Sequence, residues 1–437
     1  MPFSRLRTAW QRLTVSFWLV PSTMAVLAIV FAFALLGLDR AGTTRGLEEL
    51  GPPFSIGVDG ARSLLSTITG SVITVASLVF SLILIALTLA AGSIGARLLQ
   101  RYMRKRTIQL TLGVFVATFV YSLLVQSALG GAEYGVPRLS VFVALLLAIA
   151  SLFWLIFAFH DLARTIQVDN AVASLSNDLV AALTRQAEAA SGCSESALPQ
   201  KEMALPVRFD LPCETDGYVR SIDHEALVTL AAAADAVVRV RCGPGDFLLR
   251  EQTLAEVRAA ADSEATERLR QEVPRVIVLG PSRSELGDPT FRIHLLVEIA
   301  TRALSPGVND LYSALICIDH LGRALATALR LGLHSGEYCD NSGTLRVVGH
   351  ALSFETLVDA ALNPIRQAAA GLPPVQQRLL GIIAQLASLT SDDKQKVALK
   401  GQADCVLADA QEKVRNDVDR EAIREAHRAA LIALERR

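Results

Sequence analysis

Charge excess, paired cysteine and clustered histidine are what this sequence is short of. Lysine and arginine number 42 against 43 aspartates and glutamates, a formal net charge of −1. That leaves no basic field for nucleic acid, which is not an expected partner. The six cysteines fall at 193, 213, 242, 317, 339 and 405, with no two at Cys-x-x-Cys spacing. They are read as free thiols in a reducing compartment, not as a zinc or disulfide framework. The seven histidines are scattered. No Gly-x-Ser-x-Gly, phosphate-loop, Gly-x-Gly-x-x-Gly or His-Glu-x-x-His run occurs. No catalytic role, metal or cofactor is therefore expected.

Charge is also missing locally, and that absence is informative. Half of the 437 residues are hydrophobic, and mean hydropathy is +0.39. The apolar residues concentrate in the first third of the chain, in four runs at about 17–38, 63–91, 108–129 and 139–159. Each reaches the ~20 residues needed to cross a bilayer core. No acid or base lies in the middle of any of them, which disfavours proton-coupled or charge-coupled transport. The first run follows Arg5, Arg7 and Arg12 but is too long for the core of a cleaved signal peptide, so it is read as a retained span.

Loop charges give an orientation. Between the second and third runs stand Arg97, Arg101, Arg104, Lys105 and Arg106 with no acid, and the N-terminal flank is also basic. The loop after the first run mixes signs, and the turn after the third carries only Glu133 and Arg138. The positive-inside rule places both termini in the cytoplasm. The basic cluster has two readings, a topology signal or a patch for anionic lipid.

Beyond the fourth run the composition is that of a soluble protein. The expected organisation is a four-helix transmembrane domain over 1–162, a connecting helix and linker over 163–200, a small β-rich module over 201–285 and a helical domain over 286–437. In the connector, Val172, Leu175, Leu179 and Leu183 recur at helical spacing. In the module, Val237–Arg241 alternates at period two before a Gly243-Pro244-Gly245 turn, and 217–219, 247–249 and 276–279 read as further strands. A barrel-like arrangement is expected, with short helices at 227–234 and 253–269. Helices are predicted at 290–304, 310–332, 344–370, 374–388, 392–412 and 415–436, with Asp310 and Ser391–Asp393 as N-cap candidates. The fold class is thus membrane α-helical, followed by a mainly α cytoplasmic region with a small β-rich module.

One span stands apart. Ser63, Thr67, Gly70, Thr74, Ser77, Ser81 and Thr88 fall within ~80° of a helical wheel, opposite Ile68, Val72, Val79, Ile83 and Ala86. Two explanations compete. Small residues and hydroxyls let helices pack closely. In an oligomer, the same stripe would line a hydrated path for ions.

A second feature lies in the helical region. Asp288-Pro289 leads into Leu296-Val297-Glu298-Ile299-Ala300, then Arg302-Ala303-Leu304-Ser305-Pro306-Gly307-Val308-Asn309-Asp310, then Ala314 and Ile318-Asp319-His320-Leu321. Pro306 stops one helix, Asn309 or Asp310 caps the next, and Glu298 and Arg302 are spaced to pair. Arg302, Ser305, Pro306, Gly307, Asn309 and Asp310 form either a ligand site or a structural corner. This stretch resembles the signature of a bacterial family of predicted membrane proteins, domain of unknown function 2254. The four spans, the Arg-rich loop and Leu112-Gly113-Val114-Phe115 are similar to that family too. Leu311 departs from it, standing where the family usually has proline. The resemblance implies a membrane location and this architecture, and no activity.

The expectation is a homo-oligomeric, channel-like protein of the bacterial inner membrane, in contact with the lipid bilayer and passing ions. The alternative is a membrane-anchored sensor or scaffold without a pore.

Overall fold

The computed structural model describes residues 18–41, 56–93, 95, 105–129, 136–165, 167–189, 205–283, 288–333 and 335–436. The chain divides into two compact units, Met1–Asn170 and Ala171–Arg437.

The first unit holds α1 (Leu19–Arg40), α2 (Val58–Ser93), α3 (Arg106–Ala128) and α4 (Arg138–Thr165). All four are long and apolar enough to cross a membrane. The 36 residues of α2 make a rod of about 54 Å at ~1.5 Å per residue, well beyond a ~30 Å hydrocarbon core. At the centre, α3 packs on α1, α2 and α4. Gly113 makes the close approach to α1 possible, because a Cβ there would sit 2.4 Å from Met24 Sδ.

The buried hydroxyls of this unit belong mainly to α3. Thr111, Thr118 and Ser122 are buried, and the two threonines donate to the carbonyls of Thr107 and Val114 at 2.7 and 2.8 Å. Trp154 Nε1 donates to Thr111 Oγ1 at 3.0 Å, tying α4 to α3.

Helix ends are stapled across the bundle. Asp39, near the end of α1, accepts from Leu139 N (3.2 Å), Ser140 N (3.0 Å) and Ser140 Oγ (2.6 Å). It therefore caps the start of α4 from a different helix. The Tyr121 hydroxyl donates to Ser140 O at 3.0 Å. Arg62 Nη2 donates to Leu129 O at 3.4 Å, just beyond α3. Such bonds satisfy terminal backbone groups that hydrocarbon leaves bare.

In the second unit α5 (Val168–Ala189), which begins just before the boundary, turns Val172, Leu175, Leu179 and Leu183 inward. Arg323 holds it through Asn177 Oδ1 at 2.8 Å. Then come β1 (Val207–Pro212), β2 (Gly217–Ile222), α6 (His224–Ala233), β3 (Ala236–Val240), β4 (Phe247–Leu248), β5 (Thr253–Ala259), α7 (Glu264–Val276) and β6 (Ile277–Gly280). After α8 (Pro289–Ala303) and α9 (Leu311–Leu331), β7 (Glu337–Cys339) and β8 (Leu345–Val348) follow. One sheet has five strands in the order β1-β5-β3-β8-β7, and a second has three in the order β4-β2-β6.

Three sequence expectations are corrected here. The segment 253–259 is a strand, not the start of a helix, and pairs antiparallel with both β1 and β3. The helix expected from 344 begins only at Phe354, because 345–348 pairs parallel with β3, Val238 opposite Val347. The two sheets are open, not barrel-like, and the larger one draws two strands from beyond residue 285. Its interior is built from Val238, Val257, Leu227, Leu269, Val273 and Val347.

The remaining helices are α10 (Phe354–Ala368), α11 (Pro373–Ala387), α12 (Asp393–Lys413) and α13 (Asp417–Glu435). They pack in sequence-skipping pairs, α8 on α10, α9 on α11, α10 on α12 and α11 on α13. Side-chain caps start most of them. Asp288 accepts from Phe291 N, Asp310 from Ser313 N, Ser353 from Thr356 N, Asp392 from Lys394 N and Asn416 from Val418 N.

Cys213, Cys242, Cys317 and Cys405 are free thiols. Burial, with Asp246 nearby, pushes the Cys242 thiol up to about 12, so it stays protonated and inert. Cys339 is disulfide-bonded, which corrects the reading of all six as free.

Candidate functional site

Three residue groups were singled out in the sequence, and the structure gives each a distinct setting. On α2 all seven stripe residues, Ser63, Thr67, Gly70, Thr74, Ser77, Ser81 and Thr88, are exposed on the surface of the unit. The opposite face, Ile68, Val72, Val79, Ile83 and Ala86, is buried in the bundle. The stripe therefore does not serve packing within its own bundle, where the buried hydroxyls are those of α3 and α4. A Cβ added at Gly70 would meet open space.

Most of the stripe hydroxyls bond to their own helix. Thr67 donates to Ser63 O, Thr74 to Gly70 O, Ser77 to Ile73 O, Ser81 to Ser77 O and Thr88 to Leu84 O, at 2.8–3.0 Å. Each of these oxygens keeps acceptor capacity on the outward side. Exposed Ile73, Leu78, Phe80, Leu84, Ile85 and Leu89 border the stripe. A narrow polar line thus runs down an otherwise greasy face.

The second group makes a tight corner between α8 and α9. Ser305 Oγ donates to Arg302 O at 2.6 Å. The Asn309 and Asp310 amides donate to Ser305 O (2.9 Å) and Ala303 O (2.8 Å). Asn309 has φ 50°, the left-handed region that asparagine tolerates better than most residues. Asp310 accepts from Ser313 N at 3.2 Å and Ser313 Oγ at 2.5 Å, capping α9. Glu298 and Arg302 face each other at 3.6 Å. Pro306 and Gly307 are exposed at the tip. Leu311 is the first residue of α9, in the first turn, where proline forfeits no intrahelical hydrogen bond. Leucine and proline are interchangeable there on backbone grounds.

Of the basic group, Arg97, Arg101 and Arg104 lie outside the described residues. Lys105 precedes α3 and stands 3.6 Å from Asp161 of α4. Arg106 opens α3 and is exposed. Sequence reasoning did not single out Asp161 as Lys105's partner. It also missed Asp39, whose only signal was an acid at the very end of an apolar run.

The family model described as "Predicted membrane protein (DUF2254)" matches residues 14–385. The chain belongs to this family. Among its relatives are uncharacterised proteins of Mycobacterium bovis and Mycobacterium tuberculosis, each 27% identical over 384 residues, covering 86% of this chain and 73% of theirs. No solved structure matches the chain.

Proposed function

We propose that this DUF2254 protein assembles in the bacterial inner membrane as a homo-oligomer in which copies of α2 face a common axis. Their Ser/Thr stripes would line a path for ions, and the region after residue 170 would regulate it. The observation that carries this reading is the inverted exposure of α2. Its polar line points away from its own bundle while its apolar face points in. A surface of that kind gains most from a second copy or a hydrated path. Both termini on the cytoplasmic side is part of the same proposal and rests on loop charge. No catalysis is assigned.

A second reading, a membrane-anchored sensor or scaffold without a pore, draws on the hydroxyl bonds just described. A hydroxyl returned to its own backbone can also face lipid. Ion flux through liposomes containing the purified full-length protein separates the two. The pore reading expects flux that falls at least tenfold in Thr74→Leu or Ser81→Leu. Absence of flux at every voltage and tension applied would leave the scaffold reading standing.

A further inference from the structure

A broad surface groove of about 600 Å³ runs between α10 and α12, inside the ~300–1,000 Å³ range of clefts that hold ligands. The two helices lie side by side and run in the same direction. Gln402 Nε2 donates to Asp359 Oδ1 at 3.2 Å, and further along both helices Arg366 pairs with Asp409. Val358 and Ala398 form the groove floor. Val397 also lines it and is 70% exposed. The rim carries Glu355, Asp359 and Asp393 against a single cation, Lys394. Among the described residues the lining has no other charge, and no ion pair engages these four. Glu355 and Asp393 stand in the first turns of their helices, where carboxylates are favoured in any case. Asp359, a turn further on, has no such reason to be there, and neither has the aliphatic Val397. Gln402 leaves its Oε1 buried with no hydrogen-bond partner among the described residues.

We propose that this groove docks a basic amphipathic helix of a partner protein. Its aliphatic side chains would cover Val397 and reach the floor, and its lysines or arginines would meet Glu355, Asp359 and Asp393. This is the helix-in-groove mode of recognition. Charge complementarity selects the occupant. An anionic membrane surface or a nucleic acid is repelled by the same rim. A neutral apolar segment would bury the carboxylates without pairing them, which costs binding energy. A cation reaching Asp359 arrives beside the unpartnered Gln402 oxygen with N–H groups to donate. The inference concerns the second unit alone and does not rest on the pore.

The experiment is fluorescence anisotropy on the full-length protein in phosphatidylcholine nanodiscs, with empty nanodiscs as the blank. The probe is a labelled designed helix of about 15 residues, with leucine on one face and lysine on both flanks. Two relatives of it replace every lysine by glutamate or every leucine by serine. Wild type should bind the first peptide, and each relative at least tenfold more weakly. Val397→Glu and Asp359→Lys should each weaken the first peptide at least tenfold. Both positions are exposed, and melting of the variants checks that they fold. If Val397→Glu lowers the melting temperature, Val397→Ser replaces it. Glu355→Lys combined with Asp359→Lys should instead favour the glutamate peptide, a reversal that an unfolded protein does not produce. Binding no better than the blank, equal binding of the lysine and serine peptides, or equal binding by wild type and variants would each overturn the proposal. So would self-association of wild type that Val397→Glu abolishes, which gives the groove to a second copy. Liposome flux reports separately on the pore.

Discussion

Asp39 joins two helices that are far apart in sequence through three hydrogen bonds to the first turn of α4. An aspartate-to-alanine change at a helix cap costs ~0.5–2 kcal/mol. Asp39→Ala is expected to destabilise the full-length protein by about that much, read as a lowered melting temperature in detergent. Asp39→Asn keeps one acceptor oxygen and should lose less. Asp340 shows the same chemistry outside the membrane unit. Its carboxylate takes the Ser342 hydroxyl, Arg346 Nε and the amides of Ser342 and Thr344. The Ser342 hydroxyl bond first, then Arg346, holds it well below the usual carboxylate range. A carboxyl group depressed on folding contributes stability that is fully present above its unfolded value of about 3.9 and is lost as pH falls toward the folded one. Asp340→Asn should therefore reduce stability near pH 7 and flatten the acid side of the stability profile below about pH 4. Urea unfolding across pH, followed by circular dichroism, measures both effects.

At the scale of elements, α2 presents two faces that should respond differently to substitution. Ile83 is buried against the bundle, and Ile83→Asn should lower the melting temperature of the full-length protein, because an unpaired amide in an apolar contact costs ~1–3 kcal/mol. Ser77→Cys, on the exposed face, should leave melting unchanged and cross-link between copies if the stripes meet at an axis. The turn before β7 makes a further case. Gly336 has φ 82°, and a Cβ there would sit 2.7 Å from the Gly349 carbonyl oxygen. Gly336→Ala should cost at least ~1 kcal/mol, seen as a lower urea midpoint.

How far these elements were legible depends on which force fixed them. The spans and most of the later helices were visible, because apolar length and helical periodicity are properties of the local sequence. Asp310 and Asp392 were readable as caps for the same reason. Thr253–Ala259 was not. Its Ala, Glu, Leu and Arg residues are good helix formers, and only pairing on both edges, with β1 and β3, overrides that preference. Leu345–Val348 did carry a signal, β-branched residues between Gly343 and Gly349, but its partner β3 is far away in sequence. The α2 stripe was legible as a pattern. Which way it faced was not, because that depends on α3 taking the central place and offering its own hydroxyls to the interior.

For the whole molecule, oligomeric state is the quantity that matters most. Light scattering of the full-length protein in detergent is expected to give three or more copies, and a strict monomer would remove the basis for a path between subunits. The parallel pairing of β3 with β8 bears on something else, the order in which the chain can fold as it is made. At ~5–20 residues per second, β3 emerges from the ribosome on the order of ten seconds before the strand that covers its open edge. Once β5 has paired with it, Val237 and Val238 still sit on a strand with one edge open until β8 arrives, the kind of surface that invites pairing with other chains. The nascent second unit is therefore most exposed to aggregation and to chaperones between the synthesis of β3 and the release of residue 348. Slowing translation within that window should lower the yield of folded, detergent-extractable protein more than slowing it after residue 354.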